Sequence, residues 1–254
     1  MYKKKSLGQH FLKSASYLRA VADAGNLTPG EVVLEIGPGE GALTRELLSR
    51  GARVTAVEKD HRLIAGLQDT FTLEIQSKKL RVIETDALDF DTEELGARNY
   101  KLVANIPYYI TGALIKKFLT EKKQPTHIVF LVQKEVAQRI AKEKKESILS
   151  LSVKAYGEPK YIKTVPRGAF SPPPAVDSAI LSIQNISRKH FKNAAQEKRF
   201  FELLHAGFGQ KRKLLASNLK PLLGKDVSKI FERFGIPQKA RAEDLHLSQW
   251  LTLL

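Results

Sequence analysis

Residues 104–110 of this 254-residue chain read "ANIPYYI", at the end of the apolar run "KLVA". The side-chain oxygen of Asn105 and the backbone carbonyl of Ile106 are two hydrogen-bond acceptors one residue apart. Ile106 precedes a proline and is therefore held extended, and Pro107 fixes the turn without donating a hydrogen bond of its own. Such a pair suits an aromatic amine. The exocyclic N6 of adenine is a poor nucleophile because its lone pair is delocalised into the ring. Acceptors on both N–H bonds favour a more tetrahedral, more nucleophilic nitrogen. Tyr108 then offers a flat face for the ring. Stacking contributes ~1–3 kcal/mol per base, comparable to the few kcal/mol needed to draw a base out of its stack.

Such a turn has to be positioned by regular elements. The strand-like "VVLEI" (32–36) leads into a glycine-rich turn and the helix-like "ALTRELLSRG" (42–51). "RVTAVE" (53–58), "LRVIETD" (80–86), "YKLVAN" (100–105) and "HIVFLVQ" (127–133) read as further strands, with helix-like stretches at 59–71, 110–120 and 134–145. "LSLSVKAY" (149–156) and "VDSAILSIQ" (176–184) read as later strands. Strands alternating with helices imply right-handed crossovers and a largely parallel sheet. From about residue 186 the pattern changes to helix-like segments alone: "AQEKRFFELLHAGF", "QKRKLLASNLKPLL" and "KDVSKIFERFGI". The expected architecture is an α/β, Rossmann-like domain over 1–185 and a small, basic, all-helical domain over 186–254.

In an open α/β sheet, ligands bind beyond the carboxyl ends of the strands. Gly37, Gly39 and Gly41 follow the first of these strands and let a ligand approach the backbone closely. Glu58 ends the next strand, 21 residues after Gly37, where a carboxylate can take both hydroxyls of a ribose. Asp86 and Asn105 end the third and fourth. The four ends together suit an adenosine-sized ligand. The glycine loop also fits a dinucleotide fingerprint loosely, as G-x-G-x-x-A over 37–42, which leaves a nicotinamide-linked reductase open, although no hydride partner is evident.

Two motifs carry a resemblance. "E-x-G-x-G-x-G" at 35–41 resembles the loop of S-adenosylmethionine (SAM)-dependent methyltransferases, in which the carboxylate of Glu35 would help anchor the loop and the ammonium end of SAM. "NIPY" resembles the N-(D/I/L/P)-P-(Y/F) signature of amino-methyltransferases that act on adenine N6. The blocks "KKSLGQHFL" (4–12), "EIGPGEGALT" (35–44), "VEKD" (57–60), "LVQKEVAQRI" (131–140), "FSPPPAVDSAIL" (170–181) and "RAEDLHLSQW" (241–250) resemble, in order, the KsgA family. These are the small-subunit (16S) ribosomal RNA adenine N6,N6-dimethyltransferases. The resemblance implies SAM contacts from His10, Leu12, Gly37, Gly39, Glu58, Asp86 and Asn105. His10 and Leu12 would close over the methionine end, Glu58 would hold the ribose and Asp86 the cofactor's adenine amine. Asn105, Ile106, Pro107 and Tyr108 would receive the target base, with Phe170 against its other face. Many members of the family have Leu and Asn where this chain has Ile106 and Tyr109. The implied reaction is dimethylation of two adjacent adenosines in the hairpin near the 3′ end of small-subunit rRNA. Two alternatives are a large-subunit (23S) rRNA methyltransferase conferring macrolide resistance, and a checkpoint factor of ribosome assembly in which methylation is secondary.

The charge distribution agrees with a polyanionic partner. The net charge is +15, and residues 1–13 together with 186–254 supply +12 of it. Concentrated positive charge attracts nucleic acid and releases its counterions. Lys3, Lys4 and Lys5, with Lys211, Arg212 and Lys213, are the densest clusters and the expected phosphate contacts. The absence of cysteine excludes disulfides, thiol nucleophiles and cysteine-ligated zinc. The six histidines include no i,i+4 pair, so no metal is expected. No apolar run is long enough to span a membrane, and the basic start lacks the apolar stretch of a secretory signal. A cytoplasmic monomer working on the small-subunit precursor is expected.

Overall fold

The computed structural model describes residues 10–254; Lys3, Lys4 and Lys5 lie outside them. The chain divides into two compact units. One comprises the chain up to Ala137 together with Glu158–Ile186, the other Gln138–Gly157 together with Ser187–Leu254. In chain order, β1 (Phe11–Leu12), α1 (Ala15–Ala24), β2 (Val32–Ile36), α2 (Ala42–Ser49), β3 (Arg53–Glu58) and α3 (His61–Thr70) come first. Next are α4 (Thr72–Gln76), β4 (Leu80–Glu84), β5 (Lys101–Asn105), α5 (Thr111–Thr120) and β6 (His127–Gln133). α6 (Lys134–Ala141) spans the division in sequence, and α7 (Ile148–Tyr156) belongs to the second unit. β7 (Glu158–Val165), β8 (Phe170–Ser171) and β9 (Ser178–Gln184) return to the first. α8 (Ala194–Phe208), α9 (Leu215–Leu223), α10 (Val227–Arg233) and α11 (Leu247–Leu251) complete the second.

Seven strands of the first unit form one sheet in the order β4-β3-β2-β5-β6-β9-β7. The five from β4 to β6 are parallel, and β9 runs antiparallel to both its neighbours. Parallel strands covered on both faces are continuous apolar runs rather than alternating ones, and every residue of β6 from His127 to Val132 is buried. Helices cover the sheet through apolar stripes such as Leu43 and Leu47 of α2 and Leu114, Ile115 and Phe118 of α5. Burying one such side chain fully is worth ~1.5–3 kcal/mol. Because the five strands are parallel, Ile36, Glu58, Glu84 and Asn105 end on one edge of the sheet. The order turns back between β2 and β5, the switch point at which α/β sheets open a crevice.

Two segments differ from the sequence expectation. "LSLSVKAY" alternates like a strand but forms α7. Ser147 and Ser150 cap its first turn reciprocally, each side chain accepting the other's backbone N–H, and this capping box starts a helix. The strand that pairs with β9 is instead β7, over the charged "EPKYIKTV". The first unit therefore does not run unbroken to residue 185, since Gln138–Gly157 is part of the second. That unit is built on Leu151, Tyr156, Phe200, Leu204, Leu219, Phe231 and Trp250, all buried. Gly207 sits where an added Cβ would lie 2.4 Å from the Trp250 ring, so α8 can approach the indole only with glycine there. Among the described residues no helix is long and apolar enough to cross a membrane.

Candidate active site

A cavity of about 320 Å³ opens beyond the ends of β2, β3, β4 and β5, a size typical of small-molecule sites. His10, Gly37, Gly39, Glu58, Asp86, Asn105, Ile106, Pro107 and Tyr108 all line it. Leu12, Glu35 and Phe170 do not. Leu12 and Phe170 are opposite each other in the β1–β8 pair and both are buried in the apolar core. Phe170, expected against the free face of a base, is thus a packing residue in this structure.

The turn from β2 into α2 uses left-handed backbone at Gly37, Gly39 and Gly41, with φ of 68°, 62° and 80°. At two of these positions a side chain would also collide. A Cβ on Gly39 would lie 2.8 Å from the Phe11 ring, and one on Gly41 2.4 Å from the Phe71 ring. Glu58, at the end of β3, ties this turn down: its Oε2 accepts from the Gly39 N–H at 3.2 Å and its Oε1 from the Asp60 N–H at 2.9 Å. Burial pushes the Glu58 carboxyl pKa up, and those two N–H groups oppose the rise. Each oxygen keeps a lone pair for a ligand hydroxyl.

Asp86 is held from two sides, Oδ2 by Lys59 Nζ at 2.6 Å and Oδ1 by the Leu88 N–H at 2.9 Å. Lys59, followed by the Leu88 amide, holds the Asp86 carboxyl below its usual range. At the end of β5, Asn105 Nδ2 donates to the His10 carbonyl at 3.1 Å. A carbonyl can only accept, so this bond fixes the amide and leaves Oδ1 as the open atom. His10 in turn donates from Nδ1 to the Pro172 carbonyl at 2.9 Å.

The Tyr108 hydroxyl meets Ser178 Oγ at 2.6 Å, and burial pushes its phenol pKa up. Its ring lies nearly parallel to that of His10, with centroids 6.1 Å apart and planes 22° from each other. Stacking contacts of about 3.5 Å on either side would need roughly 7 Å, so a flat base enters between these rings only if they part by about 1 Å.

Glu35 lies in β2 beneath the glycine turn, 1% exposed. Neither of its oxygens makes a hydrogen bond among the described residues; the Thr44 hydroxyl faces it without closing one at normal length and angle. Burial pushes its pKa up to about 8, and the nearby Glu58 charge adds to the rise. Glu35 is therefore a neutral carboxylic acid under the loop at neutral pH. It does not occupy the cavity wall where it was expected to meet an ammonium group.

Four further residues of the site were not anticipated. Lys59 and Leu88 immediately follow or closely follow Glu58 and Asp86, so their positions were within reach of a sequence reading. Ser178 was not, because its place beside Tyr108 depends on the register that pairs it with Gln133 across β9 and β6. Phe11 lines the cavity from β1 and fills the space that Gly39 leaves.

Two carboxylates, an oriented amide and a glycine turn surround an apolar floor that includes Ile36, Val57 and Ala87. This fits SAM: a carboxylate for the ribose hydroxyls at Glu58, an acceptor for the adenine amine at Asp86, and bare backbone at the turn. The family model described as ribosomal RNA adenine dimethylase matches residues 1–254. The chain is 43% identical over 258 residues to ribosomal RNA small subunit methyltransferase A of Dehalococcoides mccartyi, covering 98% of this chain and 87% of that protein. Two solved structures are also similar, each 27% identical. One is a dimethyladenosine transferase from Plasmodium falciparum, with a TM-score of 0.82 and 96% of both chains covered. The other is the 23S rRNA methyltransferase ErmE, with a TM-score of 0.79 and 96% and 97% covered. With a family match that runs from end to end and a relative 43% identical over 98% of this sequence, the chain belongs to the ribosomal RNA adenine dimethylase family.

Proposed function

We propose that this chain is a SAM-dependent enzyme that dimethylates N6 of two adjacent adenosines in the 3′-terminal hairpin of small-subunit (16S) rRNA during ribosome biogenesis. The observation that carries this reading is the orientation of Asn105. Its amide nitrogen is occupied by the His10 carbonyl, which leaves Oδ1 as an acceptor on the cavity beside Ile106 and Tyr108. When bound, SAM supplies an already activated methyl group on its sulfonium. Glu58 then holds the ribose hydroxyls and Asp86 the adenine amine. Asn105 Oδ1 and the Ile106 carbonyl hold the target amine, and Tyr108 supports the target ring. The contribution of these groups is positioning and electrostatic complementarity. No strong general base is required, because an amine that gains a methyl group becomes acidic and loses its proton through the open mouth.

Identity to the small-subunit relatives well above that to the large-subunit one favours the small subunit as substrate. The test is incubation of purified small and large subunits with labelled SAM, followed by mass mapping of the modified nucleosides. Dimethyladenosine at two neighbouring positions of the small subunit is expected. Label in the large subunit alone overturns the reading.

The roles assigned within the cavity separate kinetically. Glu58→Ala should weaken SAM binding at least tenfold, since a charged acceptor contributes ~1.5–3 kcal/mol per hydrogen bond. Tyr108→Ala should leave SAM affinity within about threefold and reduce turnover, as loss of ~1–3 kcal/mol of base stacking requires. Titration calorimetry beside steady-state kinetics separates the two. Equal losses of SAM affinity would contradict the assignment.

The second unit is taken as the RNA-binding partner of the catalytic one. Lys211, Arg212 and Lys213 lie exposed in the segment between α8 and α9 rather than on a helix. Replacing all three with alanine should weaken RNA binding and lower the slope of log affinity against log salt by roughly 2–3 units. An unchanged slope would remove them from the interface. The same reading takes the enzyme as a cytoplasmic monomer that needs no metal, the sulfonium being activated without one.

A further inference from the structure

Tyr108 and Tyr109 are adjacent in one 3-10 turn (Tyr108–Ile110) but have opposite surroundings. Successive residues of such a turn point about 120° apart, so only one ring can face inward. Tyr108 is partly buried and tied to Ser178. Tyr109 is 67% exposed, lies on the wall of the cavity, and makes no hydrogen bond among the described residues. Two other residues that line the cavity also have exposed side chains. Leu88 is an exposed apolar side chain, and Lys59 holds its ammonium at Asp86 with 63% of its side chain exposed. Tyr109 lies within electrostatic reach of Lys59.

An exposed aromatic face beside a cation is the combination that binds single-stranded nucleic acid, the ring stacking a base and the cation meeting its phosphate. These exposed side chains line a cavity that, on the reading above, accepts one extruded adenosine. The backbone of that adenosine keeps the next nucleotide close to the same cavity. We propose that Tyr109, with Leu88 and Lys59, is the platform on which the nucleotide adjacent to the target adenosine stacks. The inference rests on the proposed reaction and deepens it: the adjacent nucleotide is the second target, held at the mouth while the first is in the cavity.

The test uses the full-length enzyme and small subunits reconstituted with rRNA in which the neighbour of the target adenosine is either intact or abasic. Tyr109→Ala should lower kcat/KM roughly tenfold on the intact substrate, within the range of one lost base stack. It should change kcat/KM by less than about twofold on the abasic one, where there is no base left to lose. SAM affinity should stay within about twofold, and Tyr109→Phe should keep the wild-type rate. The share of rRNA molecules dimethylated at both adenosines should fall with Tyr109→Ala. An equal loss on intact and abasic substrates, or no loss on either, overturns the platform while leaving the reaction in place. Failure of the wild-type enzyme to label the small subunit would instead remove the reaction itself, and the platform with it.

Discussion

Asn105→Ala is expected to lower kcat by about two to three orders of magnitude, the cost seen when one preorganised hydrogen-bonding group is taken from an active site. The size follows from what the side chain does. Its Nδ2 is anchored on the His10 carbonyl, so Oδ1 stays aimed with no reorganisation at the moment of transfer. Alanine removes both the acceptor and the anchor. Asn105→Asp keeps an acceptor but loses the donor to His10 and adds a charge, and should fall between wild type and alanine. Single-turnover rates with SAM preloaded separate this loss from any weakening of cofactor binding. A variant Asn105→Ala that keeps a tenth or more of the wild-type rate would show that the amide is not the group holding the amine.

Glu35→Gln is expected to change the pH dependence of stability strongly between about pH 4.5 and about pH 8. The Glu35 pKa is raised from its ordinary value to about 8, chiefly by burial. Its folded-state pKa therefore lies above the unfolded value. The stability this group allows is fully present below about pH 4.5 and is lost as pH rises through about 8, because the unfolded chain releases the proton first. Over that window the loss is on the order of several kcal/mol. Glutamine cannot ionise, so the variant should match wild type near pH 4.5 and melt higher by roughly 10 °C near pH 8. Parallel melting curves across this range would mean that Glu35 is not buried as a neutral acid.

The binding edge of this protein is legible in its sequence because each of its parts is local. Gly37, Glu58, Asp86 and Asn105 sit at or just beyond the ends of short apolar runs, and parallel pairing alone brings those ends to one side. The turn after β5 is equally local, since Pro107 restricts both itself and Ile106. What escaped depends on contacts between distant segments. Ser178 meets Tyr108 only through the β6–β9 register, and Phe170 is drawn into the core by its pairing with Leu12. Glu35 carries the residue type of a cofactor contact, but nothing in its spacing shows that it points under the loop. The segment of α7 alternates strictly, which is a strand signal, and the two serines at its start outweigh that alternation.

The threading of the backbone limits how this protein can be cut. The chain leaves the sheet-bearing unit after Ala137, contributes α7 to the helical one, and comes back at Glu158 before departing again past Ile186. A stop codon at the second departure would delete α8 to α11 but leave α7 behind, with Leu151, Val153 and Tyr156 stripped of their neighbours and turned to water. The resulting fragment would carry a sticky apolar helix rather than a clean catalytic core. A soluble excision has to remove two segments and bridge the first gap, and any shuffling event that swaps the helical half has to bring its own replacement for α7.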